Sequence, residues 1–141
     1  MSIRIIAPKS WHSLLFVTRE RPDLYLGSKT LKGLHYYIDG VFFAEHMYDI
    51  PRCKKMIDFD WARFEPWVQK EKNKKLGYYR SFGIAAKKTK SDEEAFDLWF
   101  SWYDEFNLTE GKEDYENWKK NNEQQELHRY TTKDEGDPSL Y

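Results

Sequence analysis

The sequence contains one cysteine and no long apolar run, and each absence excludes a class of protein. Cys53 cannot form a disulfide within the chain, and a zinc site built from several cysteines is excluded. No stretch approaches the roughly 20 apolar residues of a membrane-spanning helix, and the N-terminus lacks the apolar segment of a secretory signal peptide. We therefore expect a cytoplasmic protein in a reducing compartment, without membrane contact.

Catalytic and nucleotide-binding signatures are also missing. The sequence contains no Gly-x-Gly-x-x-Gly, no phosphate-binding Gly-Lys-Ser/Thr loop, no Gly-x-Ser-x-Gly elbow and no His-Glu-x-x-His zinc motif. We therefore predict that the protein is not an enzyme and that it holds no cofactor and no metal.

What the sequence has in excess is aromatic side chains: 6 Trp, 10 Tyr and 9 Phe, or 18% of 141 residues. A chain of this length supports one domain with its own core, and large flat rings bury much area per residue. Residues 1–108 carry 18 Lys and Arg against 15 Asp and Glu, whereas residues 109–141 carry 5 against 9. We expect a helical domain over 1–108, with 109–141 forming a polar, acidic helix and tail at its periphery.

Hydrophobic periodicity predicts an all-α fold, a single compact domain of five to six helices around an aromatic-rich core. Ser10 and Ser91 stand at N-cap positions for helices over 10–20 and 91–106, and Glu94 forms a capping box with Ser91. Further helices are predicted over 29–49, from about 58 to 72, and over 112–127. Residues 76–86 fit either a helix or a strand, with helix preferred.

The joint between the first two predicted helices is the Arg-Pro-x-x-Tyr-x-Gly stretch at 21–27. Pro22 is expected to end the first helix, because proline disfavours helical geometry in the residue before it. The residues after it are expected to run extended as far as Gly27, which is free to take a positive φ.

The predicted helix over 29–49 has an apolar stripe on one side and small residues on the other. The apolar stripe consists of Leu31, Leu34, Ile38, Val41 and Phe42, and the small residues are Gly33, Gly40 and Ala44. Small side chains allow a neighbour to come close, so we expect this helix to be covered on two sides.

The same helix carries a candidate buried polar cluster, formed by His35, Asp39, Glu45 and His46. His35 and Asp39 are spaced for contact across one helical turn. Glu45 falls within the apolar stripe and needs a donor, for which Arg19 or Arg21 would serve. We interpret the cluster as structural, and the alternative is a small metal-dependent or acid-base enzyme centred on this helix.

Acidic and aromatic residues in the C-terminal third form a candidate partner-binding surface. Aromatic rings among acids are typical of protein-binding surfaces, and the acids would attract a partner with a basic surface. The candidate residues are Asp92, Glu93, Glu94, Asp97, Asp104, Glu105, Tyr115 and Trp118.

Nucleic-acid binding is a further alternative, through the basic stretches at 69–75 and 87–90. A net charge of −1 makes nucleic acid an unlikely partner, because its binders usually carry a clear basic excess. We interpret the two stretches as solvated helix ends.

Several segments resemble a group of small, mostly uncharacterised bacterial proteins with the pattern RPGxYLG…FIDGY…DEEEAFDLFFELLDEF. The matching residues are Leu24 to Gly27, Asp39, Gly40, Trp67, Val68 and the 92–106 helix, whereas Asp23 stands where the group has glycine. Some members lie beside polymorphic toxins, so the resemblance implies an immunity protein that binds and neutralises a cognate toxin. It supplies no catalytic residue, and it leaves the oligomeric state open.

Overall fold

The computed structural model describes residues 8–51, 55–72 and 80–121, and all regular structure within them is α-helical. The helices are α1 (Trp11–Glu20), α2 (Pro22–Leu26), α3 (Leu31–Met47), α4 (Trp61–Lys72), α5 (Ser81–Lys88), α6 (Asp92–Leu108) and α7 (Lys112–Lys120). The predicted all-α class is confirmed for these residues.

Side-chain caps start three of the helices, and two of the caps, Ser10 and Ser91, are at the predicted places. Ser10, Thr30 and Ser91 each accept a hydrogen bond from the backbone N–H three residues later, which satisfies a donor that the helix leaves unpaired. Glu94 extends the cap of α6, although its carboxylate accepts the N–H of Lys90 instead of that of Ser91.

The predicted extended run after Pro22 is wrong, because Pro22 begins the short helix α2. Proline lacks an N–H and has a helical φ, so it suits the first position of a helix as well as it ends the preceding one. Gly27 closes α2 with a φ of 82°, as predicted. This added helix raises the number from the expected five to six to seven among the described residues.

Helix α4 contains Pro66 inside it, beyond the first turn where proline is easily accommodated. The helix continues because Phe64 and Val68, on either side of Pro66, are fully buried. Residues 81–86 of the ambiguous segment lie in helix α5 and Arg80 is its N-cap, whereas residues 76–79 lie outside the described part. Cys53, the basic residues 73–75 and the tail beyond 121 also lie outside the described residues.

The core is a continuous cluster of rings centred on α6. Trp99 of α6 is fully buried and stacks on Phe82 of α5, with ring centroids 5.3 Å apart and planes 8° apart. The ring of Trp99 is also nearly parallel to that of Tyr103, with centroids 5.9 Å apart. The indole N–H of Trp99 donates to Ser81 Oγ at 2.8 Å, and Ser81 Oγ–H in turn donates to Glu65. Helices α4, α5 and α6 are therefore held together by both ring packing and a polar chain.

Candidate protein-binding surface

Most of the acidic residues predicted to bind a partner also contact groups within the chain. Three form ion pairs with basic residues of other segments: Asp97 with Lys29, Asp104 with Arg19 and Glu105 with Lys72. The side chains of these pairs are partly exposed, so each pair contributes about 0 to 1 kcal/mol.

The acids at the start of α6 lie beside the first turn of α3. The Asp92 carboxylate accepts the backbone N–H of Lys32 at 3.2 Å, and Glu94 takes part in the cap described above. Glu93 is exposed. The positive end of the α3 dipole thus faces a carboxylate, which stabilises the helix and fixes α6 next to it.

The two aromatic residues predicted on the same surface attach α7 to the body. Trp118 is 5% exposed, and its indole N–H donates to Ser13 Oγ of α1 at 2.9 Å. Tyr115 is half-buried and packs on Trp118, with ring centroids 5.7 Å apart. The predicted role in partner binding stays a prediction for both.

His12 and Tyr103 form a buried polar pair beneath α7, next to Tyr115 and Trp118. The imidazole Nδ1 contacts the Tyr103 hydroxyl, and both side chains are almost fully buried. Burial lowers the pKa of His12 against the opposing effect of the Asp58 and Asp114 charges, and burial raises the pKa of Tyr103 well above its ordinary value. Both groups are therefore uncharged near neutral pH.

The predicted polar cluster of α3 does not gather at one point. His35 Nε2 lies 3.0 Å from the Asp39 carboxylate, which Arg80 also contacts at 3.1 Å. Glu45 Oε2 accepts the backbone N–H of Met56 at 2.9 Å, so its donor is not the arginine that we expected, and Arg19 pairs with Asp104.

His46 lies eleven residues beyond His35, about 16 Å along the axis at 1.5 Å per residue. His35 itself stacks on Phe82 and lines a groove of about 270 Å³. Asp39, Glu45 and His46 are not among the residues that line this groove. The structure therefore pairs His35 with Asp39 and keeps Glu45 and His46 apart from them.

Helix α3 exposes an apolar surface that the sequence analysis missed. Tyr36, Gly40, Phe43 and Met47 follow one another at spacings of four, three and four residues and so share one face. The exposed fractions are 64% for Tyr36, 65% for Phe43, 60% for Met47 and 71% for the adjoining Tyr48. We call these five residues the α3 face. Single exposed apolar side chains are ordinary, whereas several large ones on one helix face form a candidate interaction surface.

The two glycines of α3 have different surroundings. A Cβ built on Gly33 would lie 2.9 Å from Thr30 Oγ1 and 3.5 Å from Leu26, so α2 covers this part of the helix as we expected. A Cβ built on Gly40 would meet nothing within 4 Å. The predicted cover on two sides is thus present at Gly33 and missing at Gly40, among the residues that the structure describes.

Charged groups lie at both ends of the α3 face. Lys32 is exposed at the N-terminal end, with its ammonium 5.9 Å from the ring of Tyr36, and the Asp92 carboxylate lies beside its backbone N–H. Asp49 is exposed at the C-terminal end, in a turn where its φ is +51°. The apolar row therefore has a charged rim.

Three further observations concern the other candidate ligands and partners. They contain no group of three or more His, Cys, Asp or Glu arranged to hold a metal ion. None of the helices described here has the length and apolar character that crossing a membrane requires. Of the basic stretches, Lys87 and Lys88 are exposed at the end of α5, whereas Lys72 pairs with Glu105.

Comparison with known proteins finds no matching family model, no matching curated protein and no matching solved structure. The resemblance to the small bacterial proteins therefore stays a prediction.

Proposed function

We propose that this chain is a non-enzymatic binding protein, and more specifically an immunity protein that binds a cognate bacterial toxin and blocks its active site or a surface beside it. The observation that carries the proposal is the α3 face. Large apolar side chains gain free energy when a partner removes them from water, and Tyr, Phe and Met are enriched where protein interfaces are most tightly packed.

The chemistry of the α3 face suits recognition without reaction. Its members are aromatic rings, a thioether and a glycine, none of which is a nucleophile or a general base at neutral pH. The interaction would therefore consist of burial and shape matching, and inhibition would follow from occlusion of the toxin.

Charge at the rim supports a toxin with a basic surface. Asp92 flanks one end of the α3 face, where it lies beside Lys32, and Asp49 flanks the other. Complementary charges around an apolar centre speed association and orient the two proteins. The acidic N-terminus of α6, predicted from the sequence as a binding element, contributes here as part of the rim.

The experiment is a calorimetric titration of the full chain with toxin domains encoded beside its gene. Phe43→Ser should weaken binding by roughly tenfold or more, because a central apolar contact is lost. Leu108→Ser is the matched control, since Leu108 is an equally exposed apolar residue, 72% accessible, at the end of another helix. Absence of binding at micromolar concentration, or equal losses for the two variants, would refute the proposal.

A further inference from the structure

We infer that a second copy of this chain covers the α3 face when no toxin is bound, with the two α3 helices antiparallel and crossing at Gly40. The inference deepens the proposed function, because it names what occupies the same surface before the toxin does. Self-association itself does not depend on the proposed function and is tested without a toxin.

Gly40 is the first observation. Glycine is the least favourable residue except proline in the interior of a helix, so an exposed one needs a reason. Gly33 has such a reason in the contact with α2, but nothing described lies within 4 Å of a Cβ at Gly40. A helix from outside, lying directly on the backbone at Gly40, would use the missing side chain in the way that α2 uses Gly33.

The sizes of the neighbouring residues fit a symmetric pair. In an antiparallel crossing with Gly40 opposite Gly40, Tyr36 of each copy lies opposite Ala44 of the other. Tyr36 is large and exposed, and Ala44 is small and exposed, so each ring meets a shallow position on the partner. A two-fold axis through the two glycines produces this match twice.

The charges fit the same arrangement. With Gly40 on the axis, Lys32 of one copy lies opposite Tyr48 and Asp49 of the other. Lys32 and Asp49 are both exposed and carry opposite charges. In the antiparallel orientation the two copies therefore attract each other at both ends of the crossing. A parallel pair would place Lys32 beside Lys32 and Asp49 beside Asp49, which would repel.

Self-association on this surface would make toxin binding a competition. The toxin must displace the second copy, so the apparent affinity for toxin would fall as the concentration of the chain rises. The row of exposed aromatic rings would be buried in both states, which limits its contact with unrelated proteins.

The test measures the mass of the full chain by analytical ultracentrifugation from submicromolar to high micromolar concentration. We expect a monomer–dimer equilibrium for the natural sequence and for Leu108→Ser, and a dimer weakened by roughly tenfold or more in Gly40→Leu and in Phe43→Ser. Circular dichroism melting of the same variants at low concentration separates a lost interface from a lost fold.

A double-mutant cycle tests the orientation. Lys32→Met and Asp49→Asn should each weaken the dimer, and the double variant should be little worse than either single one, because the two residues contact each other across the axis. Additive losses would overturn the antiparallel arrangement.

Two results would overturn the inference as a whole. One is a monomer at every concentration. A triple variant with Ile3, Ile5 and Ile6 changed to Ser would then test whether residues 1–7 cover the α3 face instead, because it would newly bind a hydrophobic dye. The other is a dimer that the α3 variants leave unchanged. Neither depends on a toxin, whereas failure of the toxin titration with an intact dimer would refute the proposed function alone.

Discussion

The carboxylate of Asp58 caps the helix that begins at Trp11. Its Oδ1 accepts the Trp11 backbone N–H at 2.6 Å, and its Oδ2 accepts the next N–H, that of His12, at 3.1 Å. Two of the unpaired donors at the start of α1 are thus satisfied by a residue 47 positions away in the sequence. A negative charge at this point also interacts favourably with the helix dipole.

Asp58→Ala should lower the free energy of unfolding by about 1 to 2 kcal/mol, since it leaves these helix donors without their acceptor. Urea denaturation followed by circular dichroism measures the loss. Glu93→Ala is the matched control, because Glu93 is an exposed acid in the first turn of α6. A loss for Asp58→Ala no larger than that for Glu93→Ala would contradict the assignment.

Stability should fall in mild acid because of His12. Its pKa is lowered by burial from the ordinary value of 6.5, so the unfolded chain binds a proton at a higher pH than the folded chain does. The contribution of neutral His12 to the free energy of unfolding is fully present above about pH 6.5. This contribution is lost as the pH falls from there through the lowered pKa of the folded chain.

Urea denaturation at about pH 8 and about pH 5 measures this dependence. The double variant His12→Phe with Tyr103→Phe removes the titrating ring together with its hydrogen-bond partner, and its stability should change less between the two pH values. An equal change in the natural sequence and the double variant would show that other groups cause the dependence.

The two glycines of α3 should respond in opposite directions to alanine. Gly40→Ala should raise the stability of the monomer by about 0.5 to 1 kcal/mol, because alanine favours the helix and the added methyl meets nothing. Gly33→Ala should lower it, because the methyl would lie 2.9 Å from Thr30 Oγ1 and would disturb the cap of α3.

Thermal melts of the two glycine variants at low protein concentration, where the monomer prevails, give this comparison. The same sign for both variants would contradict the difference in their surroundings.

Ser81→Ala should destabilise the core by about 1 to 3 kcal/mol. The substitution removes the acceptor of the buried Trp99 indole N–H and a donor to Glu65. Ser101→Ala serves as the control, because Ser101 is exposed and its hydroxyl donates to the Leu98 carbonyl of its own helix. Chemical denaturation of both variants should show a clear loss only for Ser81→Ala.

The sequence predicted those helices that are defined by a neighbouring capping residue and by the helical spacing of their apolar residues. Helices α1, α3 and α6 begin where a serine or threonine caps the following turn, and their buried residues repeat at helical spacing. Helix α2 was missed because Pro22 has two roles at once, ending one helix and beginning the next.

Long-range contacts could not be predicted in the same way. Asp58 and Asp60 both fit the cap of α4 in the sequence, and only the tertiary structure shows that Asp60 bonds Arg63 of α4 while Asp58 serves α1. The partner of Glu45 was assigned wrongly for the same reason. Its donor is the backbone N–H of Met56, and the sequence does not indicate which backbone N–H groups of a loop are available to a side chain.

The α3 face could be recognised only from the structure, for a different reason. The sequence showed small residues along one side of α3, and their spacing alone predicted a neighbour there. It could not show which part of that side the chain itself covers. The structure answers this at Gly33, where α2 lies, and leaves Gly40 among exposed rings.

The burial of Trp99 and of most of the other indoles determines what the intrinsic fluorescence of this protein reports. Four of the six tryptophans are at most 5% exposed, and the α3 face contains tyrosines but no tryptophan. Indole emission will therefore shift strongly on unfolding and much less when something docks on the α3 face. An optical assay for docking needs a dye or an indole introduced at that helix.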